Sequence, residues 1–302
     1  MPALKGRELA AYVLFSVLWS SNWLVIRFAL ADVPPFLFAG SRLVLASALL
    51  GAIVFFRRRE PVSGRQLRFI ALVGFLQIGV SYACVYTALQ WIESGLAALL
   101  FATFALWVGI FAHLALPDEP LTLRAAAAAL LGVAGVAVIQ GPAVSRALAG
   151  RPGSLAAGGA LMILSSLVSA WSVVLIKKHL KSVTAFTNVL GQSVVAAAVL
   201  LSAAVVFERN ASPRWTPLAL GAVAYLGIVG TLTFVGTQWL VARIPAAVVD
   251  SFPLINTVLV VLWGSLLGAE SLTGRMLAGG ALILTGLALV TLAPAPARKA
   301  AT

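Results

Sequence analysis

Ten long apolar stretches, set apart by short polar punctuation, make up almost all of this 302-residue chain. They run roughly over 9–29, 36–56, 67–88, 94–116, 123–139, 155–176, 185–206, 217–238, 246–267 and 274–292. A helix needs about 20 mostly apolar residues to cross the hydrocarbon core of a bilayer. The punctuation carries helix breakers: Val33-Pro34-Pro35, Pro117-Asp118-Glu119-Pro120, Gly141-Pro142, Arg151-Pro152-Gly153, Ser212-Pro213 and Ile244-Pro245. Proline cannot donate to a helical ladder, so these positions mark ends. Most connections are short, so sequence neighbours are expected to be antiparallel neighbours in space. The pattern predicts an all-α integral membrane protein with ten transmembrane helices.

The ten stretches fall into two related sets. Glu119-Pro120-Leu121-Thr122-Leu123-Arg124 opens the fifth stretch, and Glu270-Ser271-Leu272-Thr273-Gly274-Arg275 opens the tenth. At this offset of 151 residues Glu, Leu, Thr and Arg coincide, as do Ala127/Ala278, Leu131/Leu282, Gly135/Gly286 and Ala137/Ala288. At an offset of 148, Gly79, Tyr86 and Gln90-Trp91 meet Gly227, Phe234 and Gln238-Trp239. Glutamate near a helix N-terminus is favoured by the dipole, and Thr122 and Thr273 are candidate caps. Five helices per half is an odd number, so the halves insert with opposite orientation. The expected organisation is a first five-helix repeat over 1–145, a second, inverted one over 146–293, and a disordered tail over 294–302. Inverted repeats are a recurring plan of secondary transporters, with the substrate held between the halves near the midplane.

Composition agrees. The chain is 61% hydrophobic and 10% charged, with a mean hydropathy of +1.04; soluble domains are about 25% charged. The net charge of +12 would suggest nucleic acid in a soluble chain. Here the bases flank apolar runs, so they read as topology signals and no nucleic-acid partner is expected. With a cytoplasmic N-terminus, 14 Lys and Arg fall in cytoplasmic segments and 5 outside. Both termini are therefore expected in the cytoplasm. The first stretch exceeds the apolar core of a signal peptide, about 7–15 residues, and is expected to be a retained span. The one cysteine, Cys84, excludes an intramolecular disulfide framework and a cysteine zinc cage.

The candidate chemistry is sparse. The only histidines are His113 and His179, and neither HExxH nor GxSxG occurs. No catalytic set, metal site or cofactor site is assembled, and the chain is not expected to be an enzyme. Polar residues inside spans are costly and tend to be functional. Asp250 lies well inside an apolar run and either relays a coupling proton or is a structurally bonded carboxylate. Arg42 is the clearest embedded cation, placed to attract an anion or to pair structurally. Trp91, Trp215 and Trp239 fall at span ends, as interfacial residues do, whereas Trp19, Trp107 and Trp171 do not. Phe15, Trp19, Trp23 and Arg27 share one face of the first helix, and Gly79, Tyr82, Tyr86 and Gln90 one face of the third. In Tyr82/Gly230 and Tyr86/Phe234 the first half is the bulkier and more polar. Such asymmetry suits either a cavity for an asymmetric small molecule or close helix packing. Asn22, Ser165, Ser169, Gln192 and Asn256 offer hydrogen bonds, and Pro253 offers a kink.

Taken together, these features resemble the drug/metabolite transporter superfamily in its EamA-type branch. The resemblance rests on ten spans in two inverted halves and on the Glu-x-Leu-Thr phrase before the last helix of each half. Trp19-Ser20-Ser21-Asn22 with Arg27, Gly40-Ser41-Arg42, and Pro253 also match. Ala105 departs from it, because many members carry a proline there. The resemblance implies export of small metabolites, often amino acids, from the bacterial inner membrane. It implies a central cavity lined mainly by helices 1, 3, 4, 6, 8 and 9. The general look of the chain is similar to the aromatic amino-acid exporter of that branch. The expected substrate-binding residues are Trp19, Asn22, Tyr82, Tyr86, Trp107 and Trp171, with Asp250 and Arg42 as coupling or polar-pathway residues. The expected partners are a small-molecule substrate and the lipid bilayer, with the oligomeric state open. A multidrug or nucleotide-sugar carrier of the same fold, or a non-transporting membrane scaffold, are the alternatives.

Overall fold

Helices account for all the regular structure in the described residues of the computed structural model, which are 6–56, 61–92, 94–117, 122–139, 141, 145, 149, 152–244, 248, 251–252, 254–256, 258–259 and 273–291. In chain order they are α1 (Gly6–Ala29), α2 (Pro35–Phe56), α3 (Gly64–Ala88), α4 (Ser94–Ala102 and Phe104–Ala115), α5 (Leu123–Ile139), α6 (Pro152–His179), α7 (Ala185–Phe207), α8 (Pro217–Val241) and α9 (Gly274–Thr291). By length and composition α2, α3, α7, α8 and residues Leu155–His179 of α6 are apolar enough to cross a membrane. Leu99–Ala115 and α5 are shorter apolar helices. The expected span over 246–267 lies largely outside the described residues, as do Glu119, Asp250, Pro253 and Glu270.

Local chemistry sets several helix starts. Ser63 and Gln66 form a reciprocal capping box at α3: the Gln66 amide donates to Ser63 Oγ (3.2 Å) and the Ser63 amide to Gln66 Oε1 (2.9 Å). Thr216 caps α8 by accepting from the Ala219 amide, with Pro217 entering the first turn. The repeated phrase behaves alike in both copies. Thr122 Oγ1 accepts from the Ala125 amide (3.1 Å), and Thr273 Oγ1 from the Met276 amide (3.4 Å).

Three of these helices are not uniform. α3 is π-wound over Gly74–Val80, and α8 is π-wound over Leu226–Gly230. Under the offset of 148 these stretches overlap, and π turns inside helices frequently mark functional sites. α4 is interrupted at Thr103 without a proline. The Thr103 hydroxyl donates to the Leu100 carbonyl (2.7 Å) and lies 3.1 Å from Ser166 Oγ on α6.

The most extensive pairings cross between the two sequence halves: α5 with α9, α2 with α7, α1 with α8, and α3 and α4 with α6. Backbones nearly touch where α5 meets α9. A Cβ added at Gly135 would lie 2.5 Å from the Gly279 carbonyl oxygen, and one at Gly286 would lie 2.7 Å from that of Ala128. Gly135 thus meets the early part of α9 and Ala128 the late part, so the two helices run antiparallel. Likewise Gly74 in the π turn of α3 abuts the Gln192 backbone of α7. Small residues that let backbones approach are a usual basis of helix packing in lipid.

Polar clasps mark the two ends of the bundle. At one end Asp32 pairs with Arg214 (2.7 Å) and accepts from the Thr216 hydroxyl (2.8 Å). There too, Glu208 accepts from the Phe36 (2.7 Å) and Leu37 (2.9 Å) amides, closing the open N-terminus of α2. At the other end the Gln66 amide side chain donates to Ser182 Oγ (2.9 Å) and Lys177 Nζ to the Ile244 carbonyl (2.7 Å).

Candidate functional site

Between the halves, toward the Asp32 end, lies a cavity of about 130 Å³. α1 contributes Trp19, Asn22 and Ile26, α2 contributes Arg42, Leu43 and Ala46, and α3 contributes Ile78, Ser81, Tyr82, Val85 and Tyr86. Phe101 comes from α4, Val189 and Ser193 from α7, and Leu226, Gly230, Thr231 and Phe234 from α8.

The aromatic wall is built from helical spacing. Tyr82 and Tyr86 lie one turn apart on α3, so their rings meet edge to face with centroids 5.8 Å apart. Trp19 faces Phe234 across the halves at 6.1 Å. A serine seam supports the wall from behind: Ser81 Oγ lies 2.7 Å from Ser165 Oγ and accepts from Ser169 Oγ at 3.0 Å. Ser165 and Ser169 are buried on α6.

The polar part of the lining is small. Arg42 and Asn22 are each only 7% exposed. The Arg42 guanidinium carbon stands 5.0 Å from the centre of the Tyr82 ring, a cation–π contact. Opposite is Gly230, where an added Cβ would find Arg42 Nη1 at 3.7 Å and Asn22 Nδ2 at 3.9 Å. Asn22 Oδ1 and Arg42 Nε are buried without a hydrogen-bond partner. Among the described lining residues there is no carboxylate.

Trp19, Asn22, Arg42, Tyr82 and Tyr86 are therefore brought together. Trp107 and Trp171 are not among the lining residues. Both pack on Phe111, with centroids 6.3 and 5.4 Å from its ring, and Trp171 is 38% exposed. Leu43 and Ala46 of α2 and the α7 residues lie outside the expected set, and among the described residues none of α6 lines the cavity. Ser193 and Thr231 carry weak sequence signals, because small hydroxyls are common in apolar helices. Gly230 had one, as the small counterpart of Tyr82.

Toward the Gln66 end the bundle is packed. The Phe15 ring covers Gly236, the Gln238 side chain donates to Gln77 Oε1 (3.3 Å), and Tyr12 Oη lies 2.7 Å from Ser251 Oγ. Among the described residues no group of His, Cys, Asp or Glu could hold a metal.

Comparison with known proteins places this geometry in context. A solved crystal structure, 21% identical, superposes with a TM-score of 0.80 over 95% of this chain and 97% of that one, which shows a shared fold. The chain is 25% identical to YoaV of Bacillus subtilis, named an uncharacterized transporter, over 91% of this chain and 94% of YoaV. It is 28% identical to the similarly named YvbV of Bacillus subtilis, over 100% and 96%. It is 27% identical to YedA of Escherichia coli, named an uncharacterized inner membrane transporter, over 91% and 88%. The EamA-like transporter family model matches twice, over residues 7–140 and 156–292. With two copies of that unit covering nearly its whole length, the chain belongs to the EamA-like transporter family, within the drug/metabolite transporter superfamily, and is a membrane transporter.

Proposed function

We propose that this chain is an inner-membrane secondary transporter that exports amino acids, including aromatic or apolar ones, or related small metabolites. It works by alternating access, with ten spans arranged as inverted repeats over 1–145 and 146–293 and with both termini cytoplasmic. The carrying observation is the cavity walled by both halves, which the Trp19–Phe234 and Tyr82–Tyr86 ring pairs both line. Rings of this kind stack on or pack against an apolar side chain at little cost in conformational freedom. The antiparallel contact of α5 with α9 supports inversion, because those helices are counterparts in the repeat. Arg65, Arg68, Lys178 and Lys181 gather at the Gln66 end, which supports a cytoplasmic assignment for that end. The name of YedA supports the inner membrane. In this arrangement the cavity faces outward while the cytoplasmic side is closed by Phe15, Gln77 and Gln238. Asp250 carries the coupling proton in this scheme.

The test is reconstitution of the purified chain in liposomes with a panel of labelled amino acids, with and without a pH gradient. Saturable movement of an apolar or aromatic amino acid is expected. Movement of none of them sinks the proposal.

A further inference from the structure

We infer that the cargo carries a carboxylate, and that Arg42 is the residue that binds it, with Asn22 beside it as the acceptor for a neighbouring N–H or ammonium group. This rests on the transporter reading only in taking the ligand to be the cargo. The argument starts from an imbalance. A guanidinium is always charged, and taking an unpaired ion out of water is far costlier than burying a neutral group. Buried cations are therefore paired. Arg42 is 93% removed from solvent by its 7% exposure, yet no ion pair to it occurs among the described residues. Its neighbour Tyr82 makes a cation–π contact and a polar side-chain contact with it but brings no counter-charge, and Nε is left without an acceptor.

The surroundings fit a carboxylate. Arg42 Nε has a buried N–H with no acceptor, and Asn22 Oδ1 is a buried acceptor with no donor. The two side chains that carry these unmet groups, on two helices, line the cavity together with Gly230. A carboxylate accepts from the fork of Arg42 in a planar, charge-assisted geometry. An α-ammonium group on the same molecule would donate to Asn22 Oδ1, while the apolar remainder meets Trp19, Phe234 and Tyr86. A cationic amphiphile would bring a second positive charge against Arg42, so the cavity selects against that class.

The experiment uses the full chain in lipid nanodiscs and calorimetric titration with three probes: phenylalanine, phenylalaninamide and 3-phenylpropionate. Phenylalanine is expected to bind and its amide to bind at least about tenfold more weakly, the size of a charge-assisted hydrogen bond. If 3-phenylpropionate also binds, the carboxylate suffices; if only phenylalanine binds, Asn22 and the ammonium are needed as well. Both results support the anchor. Arg42→Gln should lose at least about tenfold in affinity for the bound carboxylates, with Arg42→Lys between it and the parent. Should Arg42→Gln fail to fold, Gly230→Ala serves instead. Its added Cβ makes ordinary contacts, so the melting temperature is expected to hold while carboxylate affinity falls.

Equal binding of the amide, unchanged affinity in Arg42→Gln or in Gly230→Ala, or no carboxylate binding by the parent chain would each overturn the inference. Vesicle assays separate it from the transport reading. If the parent moves phenylalaninamide as fast as phenylalanine, transport stands and the anchor falls. If it binds carboxylates in nanodiscs and moves none, the anchor stands and transport falls.

Discussion

Gly135→Ala is expected to destabilise the protein although it adds a single methyl group. The new Cβ would lie 2.5 Å from the Gly279 carbonyl oxygen and 2.7 Å from Ile283 Cγ1, with the Ile283 amide nitrogen at 3.2 Å. The oxygen belongs to backbone and cannot swing aside as a side-chain tip would. Ordinary contact needs roughly 3.5 Å, so α5 and α9 must part by about 1 Å, and dispersion falls steeply over such a gap. In lipid the packing itself holds helices together, without the hydrophobic drive available in water. Overpacking of this kind costs about 1–3 kcal/mol. Alanine returns about 0.5–1 kcal/mol through its better helix propensity. The net expectation is a loss of about 0–2.5 kcal/mol, centred near 1 kcal/mol. Gly51→Ala is the matched control. It lies within α2, nothing stands within 4 Å of its added Cβ, and it should gain about 0.5–1 kcal/mol. Thermal melts of both variants in one detergent give the comparison. A Gly135→Ala protein that melts at or above the Gly51→Ala protein would refute the close approach of α5 and α9. Gly279→Ala meets the Gly135 oxygen at the same 2.5 Å and should behave like Gly135→Ala.

Three further outcomes follow from the same geometry. Glu208→Ala removes the acceptor of two amides at the start of α2; a melting experiment should show a loss of about 1–2 kcal/mol, as for a deleted helix cap. Trp19→Ala should weaken binding of an aromatic amino acid in a titration while expression and melting hold, whereas Trp107→Ala, which removes a ring packed on Phe111 away from the cavity, should lower stability and leave affinity unchanged. Asp250→Asn should abolish transport driven by a pH gradient in proteoliposomes and leave exchange at constant pH intact; gradient-driven transport at the parent rate refutes the proton role.

Hydropathy made most helices legible because a span must be apolar all round. The stretch read as 123–139 is α5 itself, and 36–56 misses α2 by one residue. The caps at Thr122 and Thr273 were legible too, since capping is local chemistry. The π turns and the interruption at Thr103 were not. They depend on what lies opposite, the Gln192 backbone for Gly74 and the Ser166 hydroxyl for Thr103. The same distinction divides the candidate site. Tyr82 and Tyr86 share a helix face by spacing, and both reach the cavity. Trp107 and Trp171 stand out in the sequence by lying away from the span ends, which says nothing about direction around the helix axis. Val189 and Ser193 carry residue types too ordinary to stand out, so only their placement on α7 reveals them.

The cross-half pairing of helices has a mechanical consequence. Sequence divides this molecule between 139 and 152, but force would not. α2 is fastened to α7 and α5 to α9 more extensively than to members of their own half. Asp32 and Glu208 add polar ties across the same divide. Neither half carries a complete hydrophobic interior of its own, so two fragments cut at the linker should fold only by meeting each other. Under the alternating access proposed above, the moving bodies would be assembled from pieces of both halves. The unit that repeats along the sequence and the unit that packs together are different sets of helices.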